Sequence, residues 1–101
     1  MQMFPMKLIT IVCEAVLRDP LIRKIRAAGA RGCSYTSTQG VGSNEDRRDD
    51  VFSANSEVKV VCTSDVADKI LADIADHYFG KYAIVLWVSD VEVIRQSHFV
   101  T

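Results

Sequence analysis

Residues 7–13 read KLITIVC, a run rich in β-branched side chains that predicts the first strand of a sheet. A second apolar run, AIVLWV at residues 83–88, predicts the last strand. Both runs place apolar side chains on the two faces of the sheet, and strands of that kind are normally covered on both faces. We therefore expect a sheet whose two faces are both buried.

The segment after the first strand predicts a helix. Apolar residues recur at helical spacing over residues 17–28, and Asp19 followed by Pro20 is typical of a helix start. The helix begins there or carries an irregular first turn before it. Gly29 and Gly32 are signals for its end.

The remaining elements follow the same reasoning. Residues 32–39 and 58–62 predict the second and third strands, because they are rich in Thr, Ser, Tyr and Val. Ser64 is expected to cap the second helix, which presents an apolar stripe and ends at Gly80. The tail, residues 90–101, is expected to hold a short helical turn around residues 91–95.

The predicted order βαββαβ is that of the ferredoxin-like α+β fold, in which two helices cover one face of an antiparallel sheet. Two helices cannot cover both faces. Because the first and last strands are apolar on both faces, we expect the second face to be buried against other copies of the chain.

Composition narrows the function classes. The chain has 101 residues and a net charge of −1, so residues 1–101 are expected to form one domain without a basic field for nucleic acid. The sequence has no apolar run long enough to span a membrane and no secretory leader, which makes the cytoplasm the default location. Its three cysteines show no metal-ligand spacing, so neither a zinc site nor a redox role is expected.

The most informative motif lies at residues 38–50, TQGVGSNEDRRDD. Gly40, Gly42 and Ser43 form a turn whose backbone N–H groups suit an anion, and Arg47 and Arg48 follow it. This turn opens a long polar segment, residues 40–56, and long loops in small domains are usually functional. A lone glycine motif is weak evidence; its place after the second strand makes it more specific.

The chain resembles the PII signalling superfamily, in particular the PII-like branch associated with bicarbonate transporters and carboxysomes (the SbtB and carboxysomal PII type). The resemblance covers nearly the whole chain. It rests on an ordered set of short motifs: Val12-Cys13-Glu14, Ala28-Gly29-Ala30-x-Gly32, Gly40-x-Gly42-Ser43, Tyr78-Phe79-x-x-Tyr82, and Ser89-x-Val91-Glu92 with Arg95.

This resemblance implies a homotrimer with adenine-nucleotide sites in the clefts between subunits, and a T-loop, residues 40–56, that responds to the ligand and docks on a partner. The effector implied is ADP or AMP, with cyclic AMP, ATP and bicarbonate as further candidates. The partner implied is a bicarbonate transporter or a carboxysome-associated protein. The nucleotide-binding residues implied are Gly40, Gly42, Ser43, Arg47, Gly80, Lys81, Tyr82 and Arg95, with Gln39 and Arg48 as additional positions. Asn44 stands where the SbtB type usually has an arginine, which leaves the choice of nucleotide open.

Three other functions stay open at this point. A CutA-like trimer for divalent-metal tolerance shares the fold, and a nitrogen-regulatory PII protein shares the family. A small enzyme on a ferredoxin-like fold is a third, because fold does not fix function. The spacing of Ser, His, Asp and Cys supports no nucleophilic mechanism, so we expect no catalytic residues.

Overall fold

The computed structural model describes residues 1–39 and 55–99. Their strands are β1 (Phe4–Glu14), β2 (Ser34–Thr38), β3 (Asn55–Cys62) and β4 (Val85–Val93), and their helices are α1 (Arg18–Ala27) and α2 (Ser64–His77). The strands form one antiparallel sheet in the order β2-β3-β1-β4. This is the predicted ferredoxin-like α+β fold.

The core lies between the sheet and the two helices. Ile9, Ile11 and Cys13 alternate along β1 and are almost completely buried. Both helices pack on this cluster. Helix α1 contributes Leu21 and Ile25, and α2 contributes Ala67, Ile70 and Ile74. Because burying one large aliphatic side chain is worth about 1.5–3 kcal/mol, this packing stabilises helices too short to persist alone.

The opposite side of the sheet, which we call the uncovered face, carries Leu8, Thr10 and Val12 of β1 with Val85 and Trp87 of β4. The strand register pairs Val12 with Val85 and Thr10 with Trp87. Both helices lie on the other side, and in the single chain Val85 is 60% exposed and Trp87 48% exposed. The sheet is therefore apolar on both faces, as the sequence predicted; its burial against other copies stays a prediction.

Gly29 ends α1 as its sequence position predicted. Its φ is +116°, a backbone conformation that residues with a Cβ rarely adopt, and a Cβ there would lie 3.3 Å from Cγ2 of Val66. At the other end of α1, a 3₁₀ helix (Ala15–Leu17) precedes Arg18. Of the two predicted helix starts, the one with an irregular turn before Asp19 and Pro20 is therefore correct.

Two predicted boundaries of α2 are wrong. The N-cap is Thr63 rather than Ser64, because Thr63 has extended backbone and its Oγ1 accepts a hydrogen bond from the Val66 N–H at 3.4 Å. The helix ends at His77 rather than at Gly80, since Tyr78 already leaves helical geometry with φ −120°. None of the helices in the described ranges is long and apolar enough to cross a membrane.

Strands β1, β3 and β4 are longer than predicted, whereas β2 (Ser34–Thr38) is shorter than the predicted strand of residues 32–39. β3 takes in Asn55 and Ser56, which the sequence assigned to the loop of residues 40–56. β4 continues to Val93 because it pairs with the start of β1, where Met6 faces Val91 and Phe4 faces Val93. The helical turn expected around residues 91–95 is therefore wrong, and a 3₁₀ helix (Gln96–His98) follows instead.

Candidate functional site

One end of the sheet, which we call the loop end, is marked by the facing residues Thr38, Asn55 and Glu14. Gln39 follows Thr38 there and is exposed. The other predicted positions of this region, namely Gly40, Gly42, Ser43, Arg47 and Arg48, lie outside the described residues. The described residues before this gap end at Gln39, directly after edge strand β2, and the phosphate-binding turn stays a prediction.

The turn before β4 reaches the same end of the sheet. The Tyr78 carbonyl oxygen accepts hydrogen bonds from the N–H groups of Lys81 and Tyr82, both at 3.0 Å. The Tyr78 and Tyr82 rings lie 5.6 Å apart between centroids and are tilted by 45°. Gly80 has open space where a Cβ would stand, and Lys81 and Tyr82 are exposed. The predicted residues Gly80, Lys81 and Tyr82 therefore form one compact, accessible turn.

The width of the sheet separates this turn from Gln39. Thr36, Glu57, Val12 and Val85 face one another in one row across the four strands. With neighbouring strands about 4.8 Å apart, the row is about 14 Å wide. Gln39 and the turn are hence on the same end of one chain but at opposite edges of its sheet.

Arg95 lies at the opposite end, which we call the tail end, because it follows Val93, the last residue of β4. At about 3.3 Å per residue, the strand Val85–Val93 is about 26 Å long. Arg95 is exposed, and its carbonyl oxygen accepts a hydrogen bond from the His98 N–H at 3.1 Å. A single chain therefore does not bring Arg95 together with Lys81.

The tail end also holds a cavity that the sequence did not reveal. Its volume is about 440 Å³, and it is lined by Arg31, Gly32, Cys33, Ser34, Lys59, Val61, His98 and Phe99. The rings of His98 and Phe99 lie 5.2 Å apart in an edge-to-face arrangement. Aromatic and basic side chains thus line the same cavity, and two of them, His98 and Phe99, follow Arg95 closely in the chain. The cavity depends on the tail folding back beside β2 and β3, a contact that no local pattern signals.

The described residues offer little acid–base or metal chemistry. Burial raises the pKa of the Cys13 and Cys62 thiols and, more than any other cause, that of the Tyr78 hydroxyl. Burial also raises the pKa of Cys33, although the nearby Arg26 opposes that shift. No group of three or more His, Cys, Asp or Glu side chains within residues 1–39 and 55–99 could hold a metal ion.

Comparison with known proteins decides the family. The family model described as nitrogen regulatory protein P-II matches residues 6–98. The chain belongs to the P-II family. P-II proteins are signalling proteins rather than enzymes, and the match confirms the family that the sequence motifs indicated.

Solved structures place the chain in the PII-like branch of the P-II family. A PII-like signalling protein from Thermus thermophilus is 33% identical, with a TM-score of 0.86 over 99% of this chain and 100% of the other. CPII from Thiomonas intermedia, solved with ADP, AMP and acetate, is 20% identical with a TM-score of 0.88 over both full chains. CPII solved with ADP and bicarbonate is 19% identical with a TM-score of 0.83 over 97% of each chain. At these identities the CPII structures show a shared fold.

Proposed function

We propose that this protein is a nucleotide-responsive regulator that acts as a homotrimer. An adenine nucleotide binds in each cleft between subunits, and its phosphates contact the Gly40–Ser43 turn and Arg47. The bound nucleotide orders the segment of residues 40–54, which then binds a partner protein. Phosphate contacts order switch segments of other proteins in the same way, and the coupling between nucleotide and partner is reciprocal.

The division of the predicted site between the two ends of the sheet is the observation that carries this proposal. Lys81 is at the loop end and Arg95 at the tail end, with the whole of β4 between them. A second copy that packs on the uncovered face can bring its tail end to the loop end of the first. A shared site therefore explains both the separation of these two residues and the exposure of Val85 and Trp87.

The chemistry at the two ends suits a nucleotide. Lys81 and Arg95, with Arg47, offer cationic donors for phosphate oxygens, and hydrogen bonds of that kind are stronger than neutral ones. The tail-end cavity offers His98 and Phe99 as aromatic surfaces for a base. CPII was solved with ADP, AMP and bicarbonate, which supports testing these ligands first.

We infer a role in inorganic-carbon metabolism, with a bicarbonate transporter or a carboxysome-associated protein as the partner. The support is the sequence resemblance together with the bicarbonate bound to CPII. A nitrogen-metabolism partner is the second candidate, because the matching family model is that of nitrogen regulatory proteins. Pull-down with the candidate transporters of the source cell, at saturating ADP and then at saturating AMP, distinguishes the two.

Isothermal titration of the wild-type protein with ADP, AMP, cyclic AMP and ATP tests nucleotide binding. We expect at least one of them to bind in the micromolar range with one site per chain. Lys81→Ala and Arg95→Ala should each weaken that binding about tenfold or more, since each removes a charge-assisted hydrogen bond. Lys69→Ala, which removes an exposed lysine of α2, is the matched control. If no nucleotide binds below the millimolar range, the proposed function is wrong.

A further inference from the structure

The turn that carries Lys81 lies between Tyr78 and Ile84, and both of these residues pack in or against the core. Within the described residues, the hydrogen bonds and ring contacts of Lys81 and Tyr82 all go to Tyr78. Gly80 has open space on its side-chain face. The conformation of this turn therefore depends on the Tyr78 carbonyl oxygen and on the Tyr78 ring.

Tyr78 is itself firmly held. The residue is 5% exposed and belongs to the core cluster that contains Cys13, Leu17 and Ile74. Its N–H donates to the Ile74 carbonyl oxygen at 2.9 Å. Tyr82, at the other end of the turn, is 44% exposed. The aromatic pair thus joins a surface turn to a buried anchor.

We propose that Tyr78 is a positioning residue for nucleotide binding, which fixes the turn in the conformation that presents Lys81 to phosphate. The inference rests on the proposed function. The Tyr78 carbonyl oxygen closes the turn by accepting from residues three and four positions ahead, and the ring contact keeps Tyr82 against the core. Without the ring contact, the lysine has more freedom to lose when it binds, and pre-organisation of this kind contributes to affinity.

Replacing the ring while keeping an apolar side chain tests this role. Tyr78→Leu removes the aromatic pair, whereas Tyr78→Phe keeps the ring and loses only the hydroxyl. Both variants are titrated with ADP and with adenosine, which lacks phosphate. Aromatic pairs are worth about 0.5–1.5 kcal/mol, so we expect Tyr78→Leu to bind ADP about two- to tenfold more weakly. Adenosine binding should change less than about twofold, and Tyr78→Phe should behave as wild type with both ligands.

Each other result decides against the inference. Equal losses of ADP and adenosine affinity would mean that Tyr78 acts on the fold in general, and an unchanged ADP affinity would mean that the ring does not matter. In both cases, binding of ADP by the wild-type protein would still support the proposed function. Absence of ADP binding by the wild-type protein would overturn the proposed function and this inference with it.

A second variant covers the case in which Tyr78→Leu does not fold. Tyr82→Leu breaks the same aromatic pair at a half-exposed position, and Tyr82→Phe is its control. Hydrogen exchange is measured in the protein without ligand. We expect the Lys81 amide to exchange about two- to tenfold faster in Tyr82→Leu than in Tyr82→Phe, because losing the aromatic pair makes local opening of the turn easier by the energy of that pair. Equal exchange rates would show that the pair does not hold the turn.

Discussion

Replacing Val85 by Asp places a carboxylate on the uncovered face of the sheet. Val85 lies opposite Val12 and is 60% exposed in the single chain, so the change has room and leaves the core between sheet and helices intact. In a homotrimer that buries this face, the same carboxylate would be removed from water. Val85→Asp therefore separates the stability of the chain from the stability of the assembly.

The magnitude follows from the exposure. Burying the exposed part of a valine side chain is worth about 1 kcal/mol, and that gain is lost from each protomer. Burying an unpaired carboxylate costs at least about 3 kcal/mol more. The assembly should lose about 4 kcal/mol or more for each protomer, which corresponds to a thousandfold or greater change in the association constant for each interface.

Sedimentation velocity measures this effect. The wild-type protein should sediment as a particle of three times the 11.2 kDa chain mass, and Val85→Asp as a single chain at micromolar concentration. Trp87, the single tryptophan, lies on the same face, and its emission should shift to the red on dissociation. Val16→Asp, the same change at a valine that is 75% exposed outside the uncovered face, should stay trimeric. A Val85→Asp variant that remains a trimer would refute burial of this face.

Three further predictions concern the single chain at fixed protein concentration. Gly29→Ala should lower the free energy of unfolding, measured by urea titration, by about 1–3 kcal/mol, because alanine is strained at φ +116°. Gly32→Ala, where a Cβ meets open space, should change it by less than about 1 kcal/mol. Native protein should react with Ellman's reagent at Cys33 before the buried Cys13 and Cys62, and Cys33→Ser should remove the early reaction; early reaction of all three cysteines would contradict the described core. Burial raises the pKa of the Cys13 and Cys62 thiols above the ordinary value of 9.0, so the folded state holds these protons more tightly than the unfolded state. Their contribution to stability should therefore be complete below about pH 9 and decrease as the pH rises above it, as measured by thermal unfolding between pH 8 and pH 11.

The order of the elements could be predicted from the sequence because it depends on local signals. Short runs rich in β-branched residues mark the strands, helical spacing marks α1 and α2, and Gly29 supplies a backbone conformation that few residues tolerate. Those signals sufficed for the fold class, and the ordered motifs sufficed for the family. The nucleotide-binding roles of Gly80, Lys81, Tyr82 and Arg95 stay predictions.

The features that were missed have different causes. β4 extends to Val93 because its second half pairs with the first residues of β1, and Val91 and Val93 alternate there with Asp90 and Glu92, a local strand pattern that lies beyond the apolar run. The choice of Thr63 over Ser64 as N-cap depends on backbone angles that two adjacent hydroxyl residues do not reveal. The tail-end cavity forms between segments that are far apart in the chain.

Co-expression of Lys81→Ala chains with Arg95→Ala chains tests most directly whether the nucleotide site is shared between subunits. Each variant alone should bind ADP about tenfold or more weakly than wild type. In mixed trimers, about a quarter of the clefts combine an intact Lys81 with an intact Arg95, so titration should recover a fraction of sites with wild-type affinity. Lys81→Ala chains co-expressed with chains that carry both substitutions should recover none. If the mixture of single variants binds ADP no better than its components, Lys81 and Arg95 do not meet across a subunit interface and the nucleotide site is not shared between subunits.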